Sequence, residues 1–208
     1  MIAIVDYGVG NLFSLKSSLI AIGADAVVTA DAQTLRDADK IILPGVGAFG
    51  DAAKKLADSG LDRILIEEAK AGKPLLGICL GMQLLFDTGY EYGVHRGLGL
   101  IPGEIRPIAD VIPAGMKIPH IGWNALAFPG EKSSLFRYVN EGEHVYFVHS
   151  YYAACDADYV SAAAEYGAPI TAAAQKGNVF GCQFHPEKSG AVGLNILRAF
   201  CETEGTVC

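Results

Sequence analysis

A lone cysteine stands between two glycines where an apolar run gives way to helical spacing. Cys79 has Gly77 and Gly81 on either side, with apolar residues at 74–76 and 82–86. Such glycines let the backbone turn sharply around a nucleophile, as in the G-x-S-x-G elbow, with sulfur replacing oxygen here. A helix N-terminus also favours the thiolate, which is the reactive form of cysteine. The pattern predicts a nucleophile at a strand-to-helix corner, and a small buried core residue is the structural alternative.

A histidine and a glutamate two residues apart supply groups that could serve this cysteine. Residues 179–184 predict a strand, and His185 follows at its carboxyl end, where open α/β sheets place ligand sites. In extended geometry Glu187 would share a face with His185 and hold the imidazole in one tautomer. A surface ion pair is the alternative for this pattern. Together with Cys79, the pair predicts a Cys-His-Glu triad for acyl transfer.

A glycine-rich turn follows another apolar run and exposes backbone amides. Residues 41–43 predict a strand that ends at Pro44-Gly45-Val46-Gly47. The amides of Val46 and Gly47 could complete an oxyanion hole with the N–H of Leu80, and losing one such donor costs ~3 kcal/mol. A plain glycine turn is the alternative.

Alternation of apolar runs with helical spacing in the first half indicates an α/β fold. Strands are predicted at 2–5, 26–29, 41–43 and 75–78, and helices at 61–71 and after Asn11, which can cap the first helix. In the second half, strands are predicted at 99–106, 119–126, 145–149, 159–165, 170–175 and 179–184, before a helix at 189–201. We therefore expect a three-layer open mixed, mostly parallel sheet flanked by helices, in a single domain over residues 1–208.

Composition excludes several classes of function. The net charge of −7 with no Lys/Arg cluster lacks the basic footprint of a nucleic-acid-binding protein. The apolar stretches fall short of the ~20 residues that cross a bilayer. Met1 leads directly into apolar residues without a secretory signal, so we expect a cytoplasmic protein.

Cysteine and histidine spacing gives no sign of a disulfide framework, a metal site or a cofactor. The five cysteines are odd in number and include no C-x-x-C, and H-E-x-x-H is absent. No chemistry is predicted for Cys155, Cys182, Cys201 and Cys208. We expect His95, His120, His144 and His149 to be structural, because only His185 has an acid at a useful spacing.

Motifs along the whole chain carry a family resemblance. The elbow GICLGMQ and the later QFHPEKS are similar to those of class I (triad) glutamine amidotransferases, whose fold is flavodoxin-like with a nucleophile elbow. DYGVGNL, PGVGAF, HIGWN and YFVHSYY further resemble the glutaminase subunits of imidazole glycerol phosphate synthases.

The resemblance implies glutamine hydrolysis through a glutamyl thioester. Cys79 would attack the side-chain amide, while His185, oriented by Glu187, would transfer the protons. Gly47, Gln83, Glu91, Ser150 and Tyr151 would help to bind glutamine, although Gln83 also fits a core hydrogen bond.

A partner subunit is implied as well. In the family, a (β/α)8-barrel cyclase subunit forms a heterodimer with the glutaminase. It uses the ammonia to make imidazole glycerol phosphate and aminoimidazole carboxamide ribotide for histidine. Asn11, Trp123 and Lys188 are candidates for this contact, with core packing an equal alternative for Trp123. Alternative functions are the glutaminase subunit of another synthase, such as anthranilate synthase, and a non-catalytic regulatory scaffold.

Overall fold

A seven-stranded sheet forms the centre of the computed structural model, which describes residues 1–205. The strands, numbered along the chain, are β1 (Ile2–Val5), β2 (Ala26–Thr29), β3 (Lys40–Leu43), β4 (Leu75–Ile78), β5 (Thr88–Gly89), β6 (His95–Arg96), β7 (Glu104–Pro107), β8 (His120–Ala125), β9 (His144–His149), β10 (Tyr151–Ala154), β11 (Val160–Glu165), β12 (Pro169–Lys176) and β13 (Val179–Cys182). The α-helices are α1 (Leu12–Ala21), α2 (Ala32–Asp37), α3 (Phe49–Ser59), α4 (Leu61–Lys70), α5 (Leu80–Leu84) and α6 (Gly190–Cys201), and 3₁₀ helices lie at Ile108–Asp110, Ser134–Phe136, Ala157–Tyr159 and Pro186–Lys188.

The strand order confirms the predicted mixed, mostly parallel sheet. It reads β11-β12-β13-β4-β3-β1-β2, and every neighbouring pair from β13 to β2 is parallel. The antiparallel pairs β11·β12 and β12·β13 form the other side. A four-stranded sheet (β10-β7-β5-β6) and the hairpin β8·β9 lie outside this sheet.

Alternation along the central strands builds two cores, one on each face of the sheet. Ala3 and Val5 pack in a buried cluster with residues of α2, α3 and α4. Ile2 and Ile4 pack in a second cluster with residues of α1 and α6. Because successive side chains of a strand point to opposite faces, short apolar strands cover both sides and give the three predicted layers.

Several elements differ from the sequence-based expectation. The strand predicted at 99–106 was wrong at its beginning, since residues 97–103 contain three glycines and a proline, and two of these glycines have positive φ. The strand β7 therefore begins only at Glu104. The helices α2 and α3 and the strand β10 were not predicted. The strand predicted at 179–184 ends at Cys182. The single domain over 1–208 stays a prediction, and Cys208 lies outside the described residues.

Two glycines allow the corner after β4 to form. A Cβ on Gly77 would lie 2.6 Å from the carbonyl oxygen of Gly81, and a Cβ on Gly81 would overlap the carbonyl oxygen of Leu43 on the neighbouring strand. Real side chains do not tolerate such contacts with backbone atoms. The G-x-C-x-G spacing therefore reflects close packing of the corner against β3 as well as a sharp turn.

We predict that Gly81→Ala destabilises the protein, because the new methyl group must displace the backbone of β3. The expected loss is about 2 kcal/mol of unfolding free energy, typical of overpacking, which corresponds to a melting temperature about 4–8 °C lower. Gly130→Ala is the matched control, because its Cβ would meet no atom within 4 Å. Thermal unfolding measures both variants, and equal melting temperatures would contradict the packing argument.

Candidate active site

Cys79 occupies the corner between β4 and α5 with a backbone conformation that L residues rarely adopt. Its φ and ψ angles are 55° and −111°. The N–H of Cys79 donates to the carbonyl of Cys182 at 2.8 Å, and its own carbonyl accepts from the N–H of Gln83 at 3.1 Å. Strain of this kind is found at functional sites, where the surrounding structure maintains it. The corner has the form of a nucleophile elbow.

His185 and Glu187 form a buried pair next to the elbow. Nδ1 of His185 lies 2.8 Å from Oε1 of Glu187, and each side chain is 3% exposed. The expected extended geometry was wrong, because residues Pro186–Lys188 form a 3₁₀ turn that begins with a proline. The turn, rather than a strand, brings the carboxylate back to the ring. With Nδ1 occupied by Glu187, Nε2 is the ring atom left for Cys79.

The surroundings of His185 favour its protonated form. Burial alone would lower the pKa of His185, but hydrogen bonds to Cys79 and Glu187 and the negative charge of both raise it to about 9. A protonated imidazole of this kind can donate a hydrogen bond to a neighbouring cysteine sulfur.

A cleft of about 290 Å³ opens onto the elbow. It is lined by Cys79 and by every residue predicted to bind substrate or to form the oxyanion hole. His185 and Glu187 are not among the residues that line this cleft, and they border a separate narrow crevice with Asn11 and Gly45. The cleft residues are Val46, Gly47, Cys79, Leu80, Gln83, Glu91, Pro119, Val148, His149, Ser150 and Tyr151.

The turn after β3 forms one wall of this cleft and rests on the elbow. A Cβ on Gly45 would lie 2.9 Å from the amide nitrogen of Gly81. Gly47 has φ +102° and open space around its Cα, and a second cavity of about 270 Å³ lies against Val46 and Gly47. The N–H of Leu80, in the first turn of α5, has no partner within the helix. The turn after β3 and the start of α5 thus both border the cleft that contains Cys79.

Two side chains of the cleft tie distant segments to it. Oε2 of Glu91 accepts from the N–H of Phe49 at 2.7 Å, at the start of α3. Nε2 of Gln83 donates to the carbonyl of Tyr151 at 3.3 Å and to Oε1 of Gln183 at 2.9 Å. The cleft therefore holds a carboxylate, suited to a cationic amino group, and an amide, suited to polar parts of a ligand.

A buried histidine pair supports the cleft and was not predicted to border it. Nδ1 of His149 lies 2.8 Å from the carbonyl of Tyr151, and its Nε2 lies 2.9 Å from Nδ1 of His120. Since a carbonyl only accepts, Nδ1 of His149 carries the proton and Nε2 accepts from His120. Burial lowers the pKa of His149 to about 4, so this ring is neutral at pH 7. Its position next to the Ser150-Tyr151 motif was the available clue.

The candidate partner contacts lie on the surface near the triad. Trp123 is 56% exposed, so the core-packing alternative for this residue was wrong. Its ring lies 6.0 Å from that of Tyr146, and Nζ of Lys188 lies 5.9 Å from the centre of the same ring. Asn11 caps α1 by accepting from the N–H of Ser14 at 3.4 Å.

Within residues 1–205, no three or more His, Cys, Asp or Glu side chains are grouped as metal ligands would be. None of the helices in this part of the chain is long and apolar enough to span a membrane.

The sequence of this chain is similar to a known protein family and to curated relatives. The family model described as glutamine amidotransferase class-I matches residues 3–203. A curated relative from Streptococcus sanguinis, described as imidazole glycerol phosphate synthase subunit HisH, is 49% identical over 202 residues, covering 97% of this chain and 96% of the relative. The subunit of the same description from Wolinella succinogenes is 48% identical over 204 residues, covering 97% and 99%.

Solved structures agree at the level of the fold. A crystal structure described as a glutamine amidotransferase superposes with a TM-score of 0.75 at 19% identity, covering 97% of this chain and 98% of its own. The structure of PurLQS from Thermotoga maritima superposes with a TM-score of 0.71 at 22% identity, covering 96% of each chain.

We predict that Cys79→Ala lowers the pKa of His185 from about 9, because the ring loses one of its two anionic neighbours. NMR titration of the ring measures the change, and Cys201→Ala is the control that removes a thiol from α6. An unchanged pKa of His185 in Cys79→Ala would show that the two side chains do not interact electrostatically.

We predict that the free energy of unfolding also changes with pH as His185 titrates. The folded pKa of His185 lies above the unfolded value of 6.5, so its contribution is complete below pH 6.5 and is lost as the pH rises through about 9. Urea unfolding between pH 6 and 10 should show this loss in the wild type and a smaller one in Cys79→Ala.

Proposed function

Because the chain belongs to the class-I glutamine amidotransferase family, we propose that Cys79, His185 and Glu187 are the catalytic triad of its glutaminase reaction. The chain is a glutamine amidotransferase subunit of imidazole glycerol phosphate synthase, which hydrolyses glutamine for histidine biosynthesis. The single observation that carries the triad is the buried hydrogen bond between His185 and Glu187 beside the strained elbow at Cys79.

The first half-reaction forms a thioester and releases ammonia. The thiolate of Cys79 attacks the side-chain carbonyl carbon of glutamine, and the carbonyl oxygen becomes an oxyanion. The N–H groups of Leu80 and of Val46 or Gly47 donate hydrogen bonds to this oxyanion, each donor contributing ~3 kcal/mol to stabilisation of the transition state. Nε2–H of His185 then donates its proton to the departing nitrogen. The C–N bond breaks, ammonia leaves and the glutamyl thioester remains.

The second half-reaction regenerates the thiolate. The neutral His185 takes a proton from a water molecule as its oxygen attacks the thioester carbon. The C–S bond breaks and glutamate leaves, which restores the thiolate and imidazolium. Glu187 holds Nδ1 of His185 throughout, so that Nε2 always faces the reacting atoms.

Glutamine fits the polarity of the cleft. We assign the α-amino group to the side of Glu91 and of the Gln83 oxygen, because these are acceptors. Gly47, Ser150 and Tyr151 border the remaining space and complete the assigned binding set. The side-chain amide then extends toward Cys79.

The partner subunit is assigned to the surface around Trp123. The relatives are described as subunits of a synthase, so a second subunit is part of the assembly. We assign this second subunit to the (β/α)8-barrel cyclase, bound by Asn11, Trp123 and Lys188. Exposed Phe13 and Ile121, which lie beside Asn11 and Trp123 in the chain, provide further apolar area. The cytoplasmic location stays a prediction.

We predict that Cys79→Ala abolishes glutamine-dependent synthesis by the complex with the cyclase subunit but preserves ammonia-dependent synthesis. Loss of a nucleophile lowers turnover by at least about 1,000-fold, whereas supplied ammonia needs no thiolate. Assays of imidazole glycerol phosphate formation with each nitrogen source measure this, with Cys201→Ala as the control. Parallel loss of both activities would show that Cys79 has a structural role. Full glutamine-dependent activity of the variant would show that Cys79 is not the nucleophile.

We also predict that Trp123→Ala weakens binding of the cyclase subunit by about 10- to 100-fold, as expected of an exposed aromatic anchor at an interface. Ile20→Ala serves as the control, because Ile20 is 58% exposed near the other end of α1. Isothermal titration calorimetry of the two subunits compares the variants. Equal dissociation constants would place the interface on another surface.

A further inference from the structure

Gln183 is a buried amide that the triad does not use. The residue follows β13 directly and precedes Phe184 and His185, and its side chain has no solvent exposure. Its backbone N–H donates to the carbonyl of Ala172 at 2.8 Å, so the main chain is satisfied within the sheet. A buried primary amide costs free energy unless it is hydrogen-bonded. The partners of its side chain therefore indicate its role.

Both side-chain partners of Gln183 belong to the active-site cleft. Its Oε1 accepts from Nε2 of Gln83 at 2.9 Å, and its Nε2 lies 3.7 Å from Sγ of Cys79. Gln83 and Cys79 each line the cleft. Packing of the sheet does not require either hydrogen bond, because an apolar side chain of similar size would fill this position without a polar partner.

The direction of these hydrogen bonds is fixed by a backbone carbonyl. The carbonyl of Tyr151 can only accept, so the Gln83 atom that faces it must be the amide nitrogen. The same nitrogen faces Gln183, whose facing atom must then be the oxygen. The nitrogen of Gln183 is left on the side of the sulfur. Each donor is assigned without reference to the chemistry of the cysteine.

We propose that Gln183 is a further catalytic residue, whose amide N–H donates to the sulfur of Cys79 and stabilises the thiolate in the attacking position. The proposal rests on the glutaminase function proposed above and adds a donor to it.

A second donor is needed because one neighbour of the sulfur opposes its negative charge. The carbonyl oxygen of Val148 lies 4.0 Å from Sγ, and its dipole disfavours a thiolate there. His185 must leave the sulfur when it donates its proton to the leaving nitrogen. The amide of Gln183 is not an acid and does not transfer its proton, so its hydrogen bond to the sulfur remains in place during both half-reactions. Donors to a charged acceptor are the stronger class of hydrogen bond.

The test compares the reactivity of Cys79 in Gln183→Met, Gln183→Glu and wild type. Iodoacetamide modifies thiolates, and mass spectrometry of the Cys79 peptide measures the rate at pH 7 and at pH 10. Methionine has a similar volume and no N–H. Glutamate keeps an acceptor for Gln83 but presents only oxygen to the sulfur, and it serves as the second variant if methionine prevents folding. Peptides with Cys155 and Cys201 are internal references.

We expect alkylation of Cys79 at pH 7 to fall by about ten-fold in Gln183→Met, and by at least as much in Gln183→Glu. At pH 10 the rate in Gln183→Met should match the wild type, since the thiol is then ionised in both. The matched control is Gln175→Met, because the amide of Gln175 donates to the carbonyl of Gly177 at the other end of β12. Alkylation of Cys79 in this variant should stay within about two-fold of wild type.

Two results would overturn the proposal. Wild-type alkylation at pH 7 in both Gln183 variants would show that the amide does not act on the sulfur. An equal loss at pH 7 and pH 10 would show a structural role. Failure of the proposed function has a different signature, because the wild-type complex would then lack glutamine turnover whatever the alkylation rates of the variants.

Discussion

The site depends on a strained backbone at Cys79 that the surrounding sheet keeps in place. A positive φ at a non-glycine residue costs about 1–3 kcal/mol, and the chain would relax if the corner were free to move. It is not free, because Gly81 lies directly against the carbonyl of Leu43 and the N–H of Cys79 is bonded to β13. The sulfur is therefore positioned by backbone packing, which is far stiffer than a side-chain rotamer.

Parallel strand order explains why the other groups meet this sulfur. The strands β13, β4 and β3 are consecutive in the sheet and run in the same direction, so their carboxyl ends lie side by side. The middle strand leads to Cys79, one neighbour leads to His185 and the other to the turn at Val46 and Gly47. The proposed base, nucleophile and oxyanion donors come from three distant parts of the chain, and strand pairing brings the ends of these strands together. The fold thus supplies the geometry before any side chain contributes.

The sequence predicted well those features that depend on local pattern. Apolar runs indicated the strands, Asn11 indicated the start of α1, and glycine spacing indicated the elbow. The helix α3 was not predicted although Phe49, Ala52 and Leu56 have helical spacing. Its start has no capping side chain in the sequence, because the N–H of Phe49 is satisfied by Glu91 from a distant loop. The exposure of Trp123 was equally undecidable, because whether an aromatic residue is buried depends on what packs over it.

Long-range polar contacts were beyond sequence patterns for a physical reason. Gln83 and Gln183 lie 100 residues apart and form a hydrogen bond whose polarity is set by a third segment, through the carbonyl of Tyr151. No spacing rule encodes such a contact, since it exists only after the sheet has assembled. The same carbonyl also accepts from Nδ1–H of His149, and Nε2 of that ring accepts a hydrogen bond from His120. One backbone oxygen therefore fixes the orientation of two buried side chains, and through them it decides which atoms face the cleft and the sulfur.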